Sequence, residues 1–132
     1  MQNLPEALRQ HIDQLNNLAQ TRRDAWQVPA DEGQLLYHIA LSAQASTIVE
    51  VGTSYGFSGL HFAAALLRTG GRLHTIDASQ KKFDASRETF AAAGVAHLIS
   101  SYHGDAQQIL PKIPGPIDIA FIDADKPSTR AY

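Results

Sequence analysis

Four short clusters of glycine and charged residues each follow an apolar run of the sequence, and each has side chains or backbone that could contact a ligand. The first is a glycine loop at residues 52–56, and the others are the dipeptide 77–78, the run 104–106 and the run 123–126. If the apolar runs are parallel strands, ligands bind beyond their carboxyl ends. The sequence therefore predicts one binding rim to which all four clusters contribute.

The glycine loop has the composition of a segment that lets backbone approach a ligand. Gly52 and Gly56 stand at a strand-to-helix turn, where glycine permits positive φ and N–H groups point out of a helix N-terminus. The spacing is not that of a dinucleotide fingerprint, because Ser54 occupies its middle position, and no G-K pair follows as in a P-loop. Taken alone, the loop fits a ligand contact and a tight packing turn equally well.

Two carboxylates of the rim each have two interpretations. Asp77 ends the second apolar run, where an acidic residue can accept hydrogen bonds from ribose hydroxyls. The alternative is that it caps the next helix. We favour the ribose interpretation because the glycine loop precedes Asp77 in the sequence.

Asp105 either caps a helix beginning at Ala106 or, with its neighbours, lies against an adenine edge. Both interpretations of Asp105 remain open.

The run 123–126, DADK, combines two carboxylates with an amine. A hard divalent cation binds several oxygen ligands, but Asp123 and Asp125 point in opposite directions on a continued strand. Both carboxylates therefore cannot easily bind one ion. Lys126 beside a cation would lose its proton readily, which suits a general base. The alternative is a solvated charge cluster before Pro127.

Hydrophobic periodicity predicts the elements that position these clusters. Helical spacing indicates helices over 4–20 and 31–44, the second capped by Asp31, with a connector at 21–33 between them. From residue 47 the pattern becomes β-α-β-α-β-α-β, and connections of this length require right-handed crossovers between parallel strands. The predicted strands are 47–51, 73–76, 98–102 and 117–122, and the predicted helices between them are 56–68, 80–93 and 106–112.

Composition limits the classes of function. The chain has 132 residues, enough for one domain, and its 44% hydrophobic and 18% charged content is that of a globular protein. The absence of cysteine excludes disulfides, thiolate metal sites and cysteine nucleophiles. A net charge of −2 provides no basic excess for nucleic acid. No apolar run has the length of a membrane span or of a signal-peptide core, so we expect a cytoplasmic protein without nucleic-acid or membrane partners.

Together the clusters resemble motifs of S-adenosylmethionine-dependent methyltransferases. The run 48–58, IVEVGTSYGFS, resembles their motif I. The run 117–126, IDIAFIDADK, is more specific and resembles the cation-dependent O-methyltransferases of the caffeoyl-CoA and catechol type. The run 28–36, VPADEGQLL, resembles the lead into that family's cofactor-contacting helix. The resemblance covers nearly the whole chain and implies an α/β, Rossmann-like methyltransferase fold with a parallel sheet, helices on both faces and two preceding N-terminal helices.

The resemblance also implies which residues bind the cofactor. Glu50 and the loop glycines shape the pocket for the methionine part, whose carboxylate is bound by Ser58. Asp77 holds the ribose hydroxyls, and the run 104–106 brackets the adenine. The whole implied set is Val28, Glu50, Gly52, Ser54, Gly56, Ser58, Asp77, Ala78, Gly104, Asp105, Ala106 and Asp123.

For the chemistry, the resemblance implies a divalent cation, Mg²⁺ or Ca²⁺, ligated by Asp123, and a catalytic lysine at Lys126. The implied reaction is methyl transfer from S-adenosylmethionine to a hydroxyl of a small molecule. We also expect a homodimer. The alternatives are a nucleoside-binding module without catalysis and an NAD-type half-domain, which the absence of G-x-G-x-x-G disfavours.

In this family three more strands follow and carry the remaining metal ligands and much of the substrate pocket. We therefore expect residues 1–132 to be a single cofactor-binding domain that is truncated after the fourth strand. Residues 1–46 would form the N-terminal helices, and residues 47–132 the βαβαβαβ half. The metal site would be incomplete, and the 132-residue chain alone would be inactive.

Overall fold

The computed structural model describes residues 5–10, 12–13, 30–53 and 55–122. Residues 6–10 and 12–13 are helical, within the predicted helix 4–20. The α-helices that follow are α1 (Ala30–Ser42), α2 (Phe57–Thr69), α3 (Gln80–Ala92) and α4 (Ala106–Ile109), and they alternate with the strands β1 (Thr47–Val51), β2 (Arg72–Asp77), β3 (Ile99–His103) and β4 (Ile119–Ile122). Short 3₁₀ turns occupy Ala96–Leu98 and Leu110–Lys112.

The strands form one parallel sheet, as the lengths of the connections predict, and their order in the sheet is β3-β2-β1-β4. The chain winds outward from β1 to β3 and then returns to add β4 on the other side of β1. A parallel sheet has its ligand crevice where the strand order reverses, so the carboxyl ends of β1 and β4 flank that point. There, Val51 of β1 is in register with Ile76 on one side and Ile122 on the other.

Helices cover both faces of the sheet, again as predicted. On one face the N-terminal helical segment and α1 to α3 bury a core that includes Leu8, Ile48, Phe62 and Phe90. On the other face α4 and the turn after it pack on a smaller cluster, formed by Val49, Val51, Ile76, Ala106 and Ile113. No helix within the described ranges is long and apolar enough to cross a membrane.

The predicted bounds of α1, 31–44, differ from those of the structure by one residue at the start and by two at the end. The helix begins at Ala30, so Asp31 is its second residue and not the predicted N-cap position before it. An acidic residue is favourable at both positions, because a cap accepts N–H bonds and a first-turn carboxylate interacts with the positive end of the helix dipole. The residue type alone therefore does not distinguish the N-cap position from a position in the first turn.

The start of β4 is fixed by a carboxylate. Asp118 Oδ2 accepts hydrogen bonds from the backbone N–H groups of Ser46 (2.9 Å) and Thr47 (3.0 Å) and from the Ser46 hydroxyl (3.1 Å). These bonds lower the pKa of the Asp118 carboxyl from its usual value, the Ser46 N–H contributing most. The contacts join the entry of β4 to the entry of β1, and regular pairing begins at Ile119, not at the predicted Ile117.

Two other elements differ from their predicted bounds. The residues Ala96–Leu98 form a 3₁₀ turn, so β3 begins at Ile99. The predicted helix 106–112 is a one-turn α-helix followed by a 3₁₀ turn that contains Pro111. Proline has no N–H to continue the α-helical hydrogen bonds, which explains the early end of α4.

Candidate cofactor site

The carboxyl ends of β1, β2 and β3 lie side by side and are joined by backbone hydrogen bonds. The N–H of Gly52 donates to the carbonyl of Ile76 (2.8 Å), and the N–H of Gly104 donates to the carbonyl of Asp77 (3.1 Å). The structure thus brings the glycine loop, Asp77 and the run 104–106 together into one rim, as the sequence predicts.

Glycine is required at three rim positions by backbone conformation. Gly52, Gly56 and Gly104 have φ values of 96°, 98° and 147°. L-residues with a side chain rarely adopt such angles, whereas glycine does so without strain. At Gly56 space is also short, since a Cβ there would lie 3.0 Å from the ring of Phe90. The loop and the first turn of α2 are therefore closely packed against α3.

A fully buried carboxylate lies behind the glycine loop. Glu50 on β1 has no solvent exposure, and its register neighbour on β2 is Thr75. The Thr75 hydroxyl donates to Glu50 Oε1 (2.7 Å), and the Ser58 hydroxyl donates to Glu50 Oε2. The Thr53 hydroxyl oxygen lies 2.6 Å from that of Thr75. Such donors are what a buried carboxylate needs to offset the loss of its hydration.

Ser58 lies where the resemblance implies a contact to the methionine carboxylate. It is 5% exposed and stands in the first turn of α2. Its single hydroxyl proton is donated to Glu50 in this structure. First-turn N–H groups have no acceptor within their own helix, and the helix dipole favours an anion there. The backbone N–H groups are thus the donors that this helix end offers to a carboxylate, and the role of the Ser58 hydroxyl stays a prediction.

Asp77 does not cap α3, which excludes the alternative interpretation of this residue. The cap is Ser79, as predicted, and its hydroxyl accepts a hydrogen bond from the N–H of Lys82 (3.3 Å). Asp77 Oδ1 accepts from the N–H of Ser79 (2.8 Å), which fixes its carboxylate at the rim. A carboxylate can accept about four hydrogen bonds, so this bond is compatible with bonds to a ribose.

On the adenine side the helix-capping interpretation of Asp105 is confirmed. Its Oδ1 accepts from the N–H of Gln107 (2.9 Å) at the start of α4, and the next residue, Ala106, is buried. Ala78 is exposed, and its carbonyl accepts a hydrogen bond from His103 Nε2 (3.2 Å). An adenine contact by the run 104–106 remains a prediction beside these structural roles.

Four predicted site residues lie outside the described residues. They are Val28, Ser54, Asp123 and Lys126. The last described residue of β4, Ile122, pairs with Val51 immediately before the glycine loop. Within the described part of the chain, no three His, Asp or Glu side chains come together as a metal site. The metal prediction therefore depends on the sequence run 123–126.

Sequence reasoning missed Thr53, Thr75 and Phe90 as parts of this site. Thr75 could have been found by counting back from the strand ends. It stands two residues before Asp77, just as Glu50 stands two residues before Gly52, and in-register positions on parallel neighbours share a face. The contacts of Phe90 with the glycine loop have no comparable signal, because they depend on how α3 lies against α2.

A protein-family model described as O-methyltransferase matches residues 4–132. The chain belongs to this O-methyltransferase family. A catechol O-methyltransferase of Niastella koreensis is 35% identical over 121 residues, a match that covers 89% of this chain and 54% of that protein. The chain thus spans about half the length of this relative.

Solved structures of O-methyltransferases have the same fold. TomG from Streptomyces achromogenes, solved in complex with SAM, is 36% identical with a TM-score of 0.80, and the match covers 98% of this chain and 58% of that one. An O-methyltransferase from Bacillus cereus, solved with SAH, is 30% identical with a TM-score of 0.80, and the match covers 100% and 60% of the two chains. These neighbours confirm the predicted Rossmann-like fold class for this member of the family.

Proposed function

We propose that this chain is the S-adenosylmethionine-binding part of an O-methyltransferase that methylates a hydroxyl of a small molecule. The observation that carries the proposal is the continuous rim, in which the glycine loop, Asp77 and Gly104 follow one another across three strand ends. Its order suits an extended ligand with an amino-acid end, a ribose and a base. The family match and the SAM and SAH complexes of the two solved relatives support the same ligand.

The chemistry of the rim fits each part of this cofactor. The methionine part carries an ammonium and a sulfonium, and the fully buried Glu50 carboxylate behind the loop complements positive charge. The N-terminus of α2 suits the methionine carboxylate. Asp77 offers carboxylate oxygen to ribose hydroxyls at the end of β2. When bound, the cofactor supplies a methyl group on a positively charged sulfur.

The proposal includes a divalent cation held in part by Asp123, with Lys126 as the base that takes the acceptor's proton. The run 123–126 supports it, since carboxylate oxygens suit hard cations and a lysine is adjacent. When bound, such an ion lowers the pKa of an acceptor hydroxyl and positions it. We also propose a homodimer in the cytoplasm and a small-molecule acceptor, on the sequence resemblance and composition alone.

Isothermal titration calorimetry tests the cofactor assignment. SAM and SAH are expected to bind with one site per chain, while NAD, which shares their adenosine, is expected to bind much more weakly. The comparison with NAD separates recognition of the methionine end from general nucleoside binding. Failure to bind SAM or SAH, or equal binding of NAD, would contradict the proposal.

A methyl-transfer assay on a polypeptide that also carries the further strands expected from the family tests the cation. With catechol as the first acceptor tried, because a relative carries that name, EDTA is expected to abolish transfer and added Mg²⁺ to restore it. Transfer that continues in excess chelator would show that the cation assignment is wrong.

A further inference from the structure

Thr53 and Thr75 have buried hydroxyls that the proposed cofactor contacts do not use. Thr75 has no solvent exposure and Thr53 has 3%. Both hydroxyls lie in the hydrogen-bond network of Glu50, and the set of cofactor contacts implied by the resemblance contains neither side chain. A buried hydroxyl can donate its hydrogen bond to a nearby backbone carbonyl. That this network donates to a carboxylate instead therefore suggests a role for the threonine hydroxyls.

With Glu50 ionised, the direction of each hydrogen bond in this network follows from proton counting. An ionised carboxylate only accepts, and a hydroxyl has one proton. Thr75 gives its proton to Glu50 Oε1 at 2.7 Å. At the 2.6 Å contact between the two threonines, Thr75 must therefore accept and Thr53 must donate. The protons run one way, from Thr53 to Thr75 to Glu50, while Ser58 donates to the other carboxylate oxygen.

The network joins four separate parts of the site. Thr53 belongs to the glycine loop, where its carbonyl also accepts the N–H of Gly56 (3.1 Å). Thr75 belongs to β2, Glu50 to β1 and Ser58 to the first turn of α2. A carboxylate with two donors on different oxygens cannot rotate without losing one of them. The loop, the strands and the helix end therefore have one relative arrangement in which all these bonds are made.

We propose that Thr53 and Thr75 are positioning residues of the cofactor site, which keep Glu50 ionised and oriented toward the methionine part through a one-way chain of hydroxyl donors. This inference rests on the proposed function, because it concerns the affinity for that cofactor. Neither threonine touches the cofactor in this proposal. Both act through Glu50, and Thr53 also acts through the turn of the glycine loop.

The test compares valine and serine at each threonine. Valine keeps the shape and removes the hydroxyl, whereas serine keeps the hydroxyl. The matched control is Thr89→Val, because the Thr89 hydroxyl donates to a helix carbonyl, that of Ala85 (3.0 Å), on α3. SAM affinity is measured by calorimetry from pH 5.5 to 8.5 on the 132-residue chain, with circular dichroism to establish that each variant is folded.

Thr75→Val is expected to weaken SAM binding roughly tenfold to a hundredfold, since a hydrogen bond to a charged group is lost. In this variant the loss of SAM affinity on acidification should occur at a higher pH than in wild type. The reason is that the ionised Glu50 carboxylate has lost a hydrogen-bond donor that stabilises it. Thr75→Ser should bind within about threefold of wild type, since the donor is retained. Thr53→Val, which acts one bond further away, should show the same pH shift with a smaller loss, roughly threefold to tenfold.

A role in packing alone would change stability without moving the pH profile of binding. If folded Thr75→Val and Thr53→Val bind SAM with the affinity and pH profile of wild type, the inference is overturned and the proposed function stands. If Thr75→Val does not fold, Thr53→Val decides in the same way. If wild type itself does not bind SAM, the proposed function fails, and the inference fails with it.

Discussion

At the end of β2, Asp77 combines a local structural bond with the position expected of a ribose ligand. Its Oδ1 accepts the N–H of Ser79, and its own carbonyl accepts the N–H of Gly104. The residue type and its place after a strand were sufficient to predict it as a rim residue. The bond to Ser79 was not predictable, because it depends on the conformation of a three-residue turn.

Asp77→Ala is expected to weaken binding of both SAM and SAH by about 1–3 kcal/mol, or roughly five- to 150-fold, since charge-assisted hydrogen bonds to the ribose are lost. Both ligands carry the same ribose, so the losses should be equal. Calorimetry measures both. Asp84→Ala is the control, because Asp84 is exposed on α3 and its carboxylate bonds to Gln80 Nε2 (2.9 Å). Wild-type affinity in Asp77→Ala would show that the ribose assignment is wrong.

At the scale of elements, the strands were the most predictable part of the fold. Short β-branched runs that end in Gly or Asp predicted β1 and β2 within a residue, because buried parallel strands need apolar side chains on both faces. The ends of β4 and α4 were less predictable. Asp118 fixes the first by bonding to the distant residues 46–47, and a proline shortens the second.

The contact between α1 and α2 is closer than any sequence pattern indicated. His61 on α2 is 1% exposed, and its Nδ1 lies 2.9 Å from the carbonyl oxygen of Phe57. A Cβ on Gly33 of α1 would lie 2.6 Å from the imidazole, so only glycine permits this approach. Burial lowers the pKa of the His61 imidazole from 6.5, and the bond to Phe57 offsets that shift in part. Burial also lowers the pKa of His74.

A histidine with a lowered pKa in the folded state binds its proton more readily when unfolded. Its contribution to stability is therefore complete above about pH 6.5 and is lost as the pH falls through that value toward the folded pKa. We expect the free energy of unfolding, measured by urea denaturation, to decrease from pH 8 to pH 5. His61→Asn, which can keep a donor to Phe57, should reduce that slope, although its smaller side chain lowers stability at every pH.

The matched control for this slope is His97→Asn, because His97 is exposed on the 3₁₀ turn before β3. It should unfold with the wild-type pH dependence. A His61→Asn slope equal to that of wild type would mean that His61 does not carry the acid sensitivity, and His74 would then be the remaining buried imidazole among the described residues.

For the whole molecule, the strand order leaves β3 and β4 at the two edges of the described sheet. In β4, Ala120 and Ile122 are exposed, and Ile117 just before it is 43% exposed. A parallel strand with this apolar composition belongs to a sheet interior, and an exposed edge invites pairing with another chain. The chain spans 58% and 60% of the two solved relatives, so each of those proteins has residues that this chain does not match.

We therefore expect the 132-residue polypeptide to self-associate through β4 and to lack methyl-transfer activity. Light scattering over a concentration series should show a mass above that of the monomer, and Ile117→Lys should lower it, because a charge beside the strand opposes edge pairing. Two lysine controls test other exposed apolar positions, Leu67→Lys on α2 (40% exposed) and Ile39→Lys on α1 (45% exposed). If Ile39→Lys lowers the mass and Ile117→Lys does not, α1 is the contact surface. A stable monomer over that concentration series would contradict the edge argument, and methyl transfer by this polypeptide would contradict the expectation that it is inactive.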